Sequence, residues 1–371
     1  MKITGVAVYR MDLPLEAPFE HAASGRVAAL EEVYVRVTTD EGVSGVGEAR
    51  GNSHYLTGDT PERLVAEITR HLAPRLLGRD PRDLGACLDT LESAVVGTHG
   101  ARSALDIALH DLVARAYGVP VHALLGGRIR DELPSNQSIF YGPPDEAARA
   151  AAAHVAAGFR YLKVRGGLRP FQRDLDRLRA VRDAVGPSVS LALDVNGGWA
   201  ARDALPRLRR LQPFDLAYVE QPAPPRDLEG LREITRASDL PIMADESLQS
   251  LDDVFLLARD RVVDLLHFKL GKLGGLGGLR RAAAVAEAGG LQVMVGQTNE
   301  GGLATAAAAH AALAVKAPYL ELYGAEGLTR DPARGFALTN GLATVPDGPG
   351  LGVTLDLSLL QPVGQVGRLD P

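Results

Sequence analysis

Three short apolar runs in the second half of the chain each end in an acid: LALDVNG at Asp194, AYVEQP at Glu220 and IMADES at Asp245. The intervals are 26 and 25 residues, and Lys269, in LLHFKLGKLGG, follows after another 24. Such an interval is the length of one strand, one helix and two connections. A chain that delivers strand ends at that period is wound as a parallel β/α barrel. The four side chains then meet on the C-terminal rim, where barrel enzymes hold their chemistry.

The remaining runs fit the same rhythm. LPSNQSIF, RYLKVRG, LQVMVGQTNE and YLELYG bring the number of strand-like segments after Pro134 to eight, and Ala/Arg/Leu-rich helical stretches such as DLDRLRAVRDAVG separate most of them. The first third reads differently. ITGVAVYRMDL and EEVYVRVTTDEGVSGVGEA alternate with period two, DEG turns the second of these, and PFEHAASGRVAAL and GNSHYLTGDT read as loops. Thr60 with Pro61 starts a helical region that runs to about residue 127. The organisation expected is an α+β domain over 1–130, a barrel over 131–339, and a segment from about 340 to 371 that packs back on the first domain.

Composition excludes several classes. A net charge of −6 without any Lys/Arg block argues against nucleic acid and against a basic membrane surface. There is no apolar run of spanning length, and the N-terminus lacks a signal-peptide core. Cys87 is the only cysteine, which suits a reducing compartment, so a cytoplasmic protein is expected.

Three carboxylates converging on one rim repel each other unless a cation neutralises them. Hard oxygen ligands with positions left for water and substrate suit Mg²⁺, with Mn²⁺ as a substitute. Asn196 and Glu246 adjoin this set. In YLKVRGG, Lys163 and Arg165 are two apart and share one strand face, placing two cations on one side of the metal. Lys269 faces them across the mouth. Neighbouring cations are expected to depress its pKa and make it a proton acceptor, while Lys272 is structural.

In order and spacing, K-x-R at 163, DVNGGW at 194, VEQP at 219, ADES at 244, FKLGKLGG at 268, GQTNEGGLATAAAAH at 296 and LELYG at 320 resemble the enolase superfamily, specifically its muconate-lactonizing enzyme subgroup. The resemblance covers the whole chain. It implies a modified (β/α)7β TIM-type barrel under an N-terminal α+β capping domain. Asp194, Glu220 and Asp245 would bind Mg²⁺, and a base would remove the proton α to a carboxylate, giving an enolate. Lys163, Arg165 and Lys269 are the implied catalytic groups. Asn196, Gln297, Glu300, Glu321, Tyr323, His21, Arg26, His54 and Tyr55 are the expected substrate contacts, the last four from capping loops near 18–30 and 51–59. The partner implied is a small-molecule carboxylate, and a homo-oligomer is expected.

Arg165 departs from the subgroup's usual lysine-x-lysine. Its neutral fraction near pH 7.5 is about 10⁻⁵ or less, so it reads as a fixed charge and not as a proton shuttle. One-base chemistry with Lys269 follows: cycloisomerisation or β-elimination by a lyase or isomerase. A racemase of N-substituted amino acids or proline-like acids is the alternative, and a non-catalytic carboxylate-binding protein the third reading. LELYG lacks the Asp-x-Asp pair of dipeptide epimerases, which argues against a dipeptide. Glu321 is expected to meet a substrate amine or Lys269.

Overall fold

The structure is a computed structural model and describes residues 1–21 and 25–369. An antiparallel sheet opens the chain: β1 (Ile3–His21), β2 (Gly25–Thr39) and β3 (Ser44–Arg50). The segment expected to be a loop between the first two strands is instead the far end of a long β-hairpin. The pairs Phe19↔Val27 and His21↔Gly25 stay in register beyond an irregularity after Pro14. Val27 and Leu30 are buried with Leu13, and this small cluster secures the arm. At the GVSGVGEA end, Gly45 and Gly47 let the helix His99–Tyr117 lie directly on the sheet. A Cβ on Gly47 would stand 1.9 Å from the Ala104 carbonyl oxygen.

Eight strands follow: β4 (Gln137–Ile139), β5 (Tyr161–Arg165), β6 (Ser190–Asp194), β7 (Leu216–Glu220), β8 (Ile242–Ala244), β9 (Leu265–Lys269), β10 (Gln292–Gly296) and β11 (Tyr319–Leu320). They form one parallel sheet in sequence order, with a helix in every crossover. The Asn136 N–H donates to the Leu320 carbonyl at 2.9 Å, which brings the two edges together. The expected barrel is present.

Alternation along these strands builds the interior in layers. Tyr161, Ala192, Tyr218, Met243, Leu265, Met294 and Tyr319 form an apolar floor. Two residues further along each strand the side chain is polar or absent: Lys163, Asp194, Glu220, Asp245, His267, Gly296 and Glu321. Gly296 is obligatory at its place, since a Cβ there would lie 2.1 Å from His267 Nε2. A charged layer standing on a sealed apolar floor faces one way only, toward the rim.

The N-terminal domain is fastened to the barrel through helix N-termini. The helices Leu276–Ala288 and Gly302–Ala314 both start after glycine, Gly275 and Gly301, which has no capping side chain. Acids from elsewhere supply the cap. Asp106 accepts from the N–H groups of Leu276 (2.7 Å) and Gly277 (3.2 Å). Glu48 accepts from Ala304 N–H and Asp331 from Gly302 N–H, each at 2.7 Å. Glycine is needed because the carboxylate occupies the space: a Cβ on Gly301 would meet Glu48 Oε1 at 2.2 Å, and one on Gly275 would meet Asp106 Cγ at 2.3 Å. At the other end of the chain β12 (Gln361–Gly367) adds to β1. Among the described residues no helix is long and apolar enough to cross a membrane.

Candidate active site

The charged layer is dense and buried. Asp194 and Glu220 are register partners at the ends of β6 and β7 and are wholly buried. Burial first, then the Glu220 charge, pushes the Asp194 carboxyl up to about 6, and Glu220 is raised by burial and Asp245. Asp245 goes the other way. Burial works against its charge, but Lys269 and Lys272 outweigh that and hold it well below the ordinary carboxylate value.

The cations stand directly on these acids. Lys163 Nζ lies 2.9 Å from Glu220, 2.5 Å from Glu321 and 3.8 Å from Asp194. Arg165 Nη1 bonds Asp194 and reaches Asn196 Oδ1 at 3.4 Å. Lys269 Nζ donates to Asp245 at 2.7 Å. Lys272 is fully buried and donates to the Asp245 carboxylate (2.6 Å) and to the carbonyls of Asp245 and His267 (both 2.8 Å), a bracing position. Strands β5 and β9 are four places apart in an eight-stranded barrel, so Lys163 and Arg165 oppose Lys269.

Two expectations change here. Lys269 is not depressed: burial would lower its pKa, but Asp245, with Glu321 and Glu220 behind it, overrides this and raises it above the usual lysine value. Lys163 does count among the groups pulling it down, and the carboxylates win because they are nearer. Among the described residues no hydrogen bond or ion pair joins Glu321 to Lys269. Glu321 pairs with Lys163 and accepts from Asn136 Nδ2 at 3.0 Å.

The cavity above this layer has about 30 Å³ of free volume. Arg165, Asn196, Asp245, Glu246, Lys269 and Gln297 line it from the barrel, and Phe19, Arg50, Tyr55 and Leu56 from the N-terminal domain. Phe140 stacks on Phe19 with ring centres 5.0 Å apart and lies 6.0 Å from the Arg165 guanidinium. Glu300 is buried beside an adjoining small cavity and accepts from Thr298 at 2.9 Å. Tyr323 is buried against Ser138 Oγ at 2.7 Å and does not line the main cavity. His54 and Arg26 are exposed and do not line it either. The side chain of His21 lies outside the described residues.

Sequence reading passed over His267 and Arg50. His267 donates from Nδ1 to Glu220 Oε1 at 2.7 Å and is held neutral, its pKa lowered by burial and by Lys269. It precedes Lys269 by two residues, so strand alternation puts both on one face. The tightest cluster of potential ligand atoms among the described residues is Glu220, Asp245 and His267, all within 4.8 Å of one another. Asp194 adjoins Glu220 on the next strand. A set dominated by carboxylate oxygens, with Glu246 Oε2 buried and without a partner among the described residues, fits a hard divalent cation.

Two family comparisons cover most of the chain. Residues 3–126 match the mandelate racemase/muconate lactonizing enzyme N-terminal domain, and residues 145–359 match the enolase C-terminal domain-like family. The chain belongs to the enolase superfamily. Its superfamily relatives carry out different reactions. It is 34% identical to an L-Ala-D/L-Glu epimerase of Clostridium acetobutylicum, over 95% of this chain and 99% of that one. It is also 34% identical to the chloromuconate cycloisomerase CbnB of Cupriavidus necator, over 96% and 97%. The crystal structure of the N-succinyl Arg/Lys racemase from Bacillus cereus superposes with a TM-score of 0.93 at 30% identity, covering 99% of both chains. The enolase superfamily therefore accounts for the fold and for an isomerase-type active site on small molecules, and the reaction is open among its members.

Proposed function

We propose that the chain abstracts the α-proton of a small carboxylic acid from one face, with Lys269 as the base, in a cycloisomerisation or a β-elimination. Asp194, Glu220 and Asp245 are the metal ligands in this reading, and Mg²⁺ is the metal. When bound, Mg²⁺ supplies a fixed positive charge that orients the substrate carboxylate and offsets the negative charge developing there. His267 holds Glu220 in orientation through its Nδ1–H, as a hydrogen bond behind a ligand does.

The observation that carries the reading is the asymmetry of the two sides. On β9 stands Lys269, a primary amine that is held protonated against Asp245 here. It can serve as a base only once that ion pair is broken, whereas a guanidinium stays charged even then. On β5 Lys163 is clamped between Glu220 and Glu321, and Arg165 is held charged by Asp194. Burial alone would lower the Arg165 pKa, yet Asp194 beside it keeps it well above the ordinary arginine value. Arg165 then acts as a permanent positive charge beside the reacting carboxylate, and the second face lacks a proton carrier.

A racemase or epimerase of N-substituted amino acids is the second reading, supported by similarity to the Bacillus cereus racemase over the full chain. Incubation of single enantiomers in D₂O with Mg²⁺ separates the two. Deuterium entering recovered substrate with retained configuration supports one-base chemistry, and inverted product supports the racemase. Lys269→Ala should lower exchange by about 10³-fold or more. Exchange that survives that substitution would sink the assignment of the base.

A further inference from the structure

We propose that Arg177 is a positioning residue for the reaction: it fixes the strand end that aims the Arg165 guanidinium and sets the Phe140 ring beside it. The inference rests on the reading of Arg165 as a fixed positive charge beside the reacting carboxylate.

Arg177 stands on the helix Gln172–Val185, which follows β5, and it does not line the cavity. Its side chain is 1% exposed, and a guanidinium in the interior is unfavourable unless it is paired. Asp174 offsets this only in part. The two charges stand 3.9 Å apart, and Asp174 Oδ1 and Arg177 Nε are both buried without a partner among the described residues. Burial lowers the Arg177 pKa, and Asp174 does not restore it. What the arginine does have are its two Nη groups, and both go to backbone.

Strands β4 and β5 are last in register at Ile139↔Val164, so their pairing ends one residue before Phe140 and Arg165. Arg177 takes over at that point. Its Nη1 donates to the Arg165 carbonyl. Its Nη2 donates to the Phe140 carbonyl at 2.6 Å and reaches that of Ile139 at 3.5 Å. One planar fork thus ties the two strand ends together, which the point charge of a lysine cannot do. The chain just past Arg165 is held as closely. Gly166 N–H donates to the Asp194 carbonyl at 2.6 Å, and the Tyr141 hydroxyl donates to the Gly166 carbonyl at 3.0 Å. Asp174 accepts from the N–H groups of Gly167 (2.9 Å) and Leu168 (3.1 Å).

The two residues so joined stand together at the site. Arg165 bonds Asp194, and the Phe140 ring lies 6.0 Å from the Arg165 guanidinium and stacks on Phe19 of the hairpin arm. A charge that acts through its position has to be held to within about 0.5 Å. Without Arg177 two carbonyls lose their donor, the strand ends part, and Arg165 can turn away from Asp194.

The test compares Arg177→Met, Arg177→Lys and Arg165→Met with the double variant. In metal-free protein, modification of Arg165 by phenylglyoxal is followed by mass spectrometry. Arg165 is ion-paired and largely buried, so it should react slowly in the wild type. It should react about 10-fold faster or more in Arg177→Met, and at an intermediate rate in Arg177→Lys. Asp106→Ala, which loosens the domain fastening instead, should leave the rate unchanged. Binding of acetohydroxamate, a metal chelator shaped like an enediolate, is then measured by calorimetry with Mg²⁺ present. Arg177→Met should weaken it about 10-fold in the wild-type background and not at all in the Arg165→Met background. An unchanged phenylglyoxal rate in folded Arg177→Met, an equally raised rate in Asp106→Ala, or an equal loss of acetohydroxamate binding in both backgrounds would overturn the assignment. If Arg165 becomes reactive in Arg177→Met while acetohydroxamate binds no protein, or binds all of them equally, the fixed-charge reading falls and the positioning stands. Arg177→Lys, which keeps the charge and one hydrogen bond, carries both comparisons if Arg177→Met does not fold.

Discussion

Glu48 offers a direct test of how the N-terminal domain is held. Its carboxyl is fully buried, caps the helix Gly302–Ala314 through Ala304 N–H, and leaves Oε1 without a partner among the described residues. Burial is the largest influence on it and the Asp331 carboxylate the next, and together they push it up to about 8 from 4.5. Glu300 also raises it, while the helix N–H and the Tyr34 hydroxyl pull it down. Glu32, likewise raised, is a further acid on the same sheet. A carboxyl raised in the native state stabilises the fold fully below its unfolded pKa, and that contribution is lost as pH climbs through the folded value. The window is therefore pH 4.5 to about 8. At ~1.4 kcal/mol per unit, the two units between pH 6 and pH 8 correspond to about 3 kcal/mol. Glu48→Gln keeps the accepting oxygen and cannot ionise. Urea unfolding of both proteins at pH 6 and pH 9, with EDTA present, should show the wild type losing about 3 kcal/mol more than the variant over that range. Parallel losses would mean that Glu48 is ionised in the native protein, with the helix N-terminus outweighing burial.

Three further outcomes are expected. Arg165→Lys should let product of inverted configuration form from a single enantiomer, read by chiral chromatography; unchanged stereochemistry would clear Arg165 as the block on the second face. Mg²⁺ at about 100 times its dissociation constant should stabilise the wild type by ~2.7 kcal/mol. Asp194→Asn should lose most of that shift, and an equal shift in the variant would remove Asp194 from the ligand set. Asp106→Ala leaves two helix N–H groups uncapped and should cost about 1–3 kcal/mol in denaturant titration. A cost near zero would show that water replaces the carboxylate.

Most of the barrel strands were readable because they are short apolar runs closed by a polar rim residue. Alternation then placed Lys163, Arg165, Asp194, Glu220, Asp245 and Lys269 on inward faces. The hairpin arm was not readable. Among residues 18–30 the large apolar side chains, Phe19, Val27 and Leu30, are few and set among alanine, glycine and polar residues, too sparse to register as strand alternation. His267 was within reach of the same period-two rule, but a lone histidine in LLHFK reads equally as core. Arg50 could not be found locally, since its anchoring partners lie 248 and 249 residues away. The state of Lys269 failed for another reason. Sequence spacing identifies which charges gather, while their sum depends on which opposite charge is nearest, and Asp245 is in direct contact.

The trans-capping by Asp106 and Glu48 has a consequence for redesign. These acids bind the N-terminal domain to the helices that follow β9 and β10, the strands bearing Lys269 and leading into Gln297. Swinging the whole domain away would strip a carboxylate from both helices at once, leaving only Asp331 on the second. Phe19 on the hairpin arm and the segment around Tyr55 and Leu56, by contrast, line the cavity without taking part in that fastening. Under the proposed function, those two stretches are the ones to diversify for substrate preference, since changes there leave the carboxylate-to-helix contacts untouched. A library confined to them leaves the fastening intact, whereas grafting an entire foreign domain would have to rebuild each carboxylate-to-helix contact.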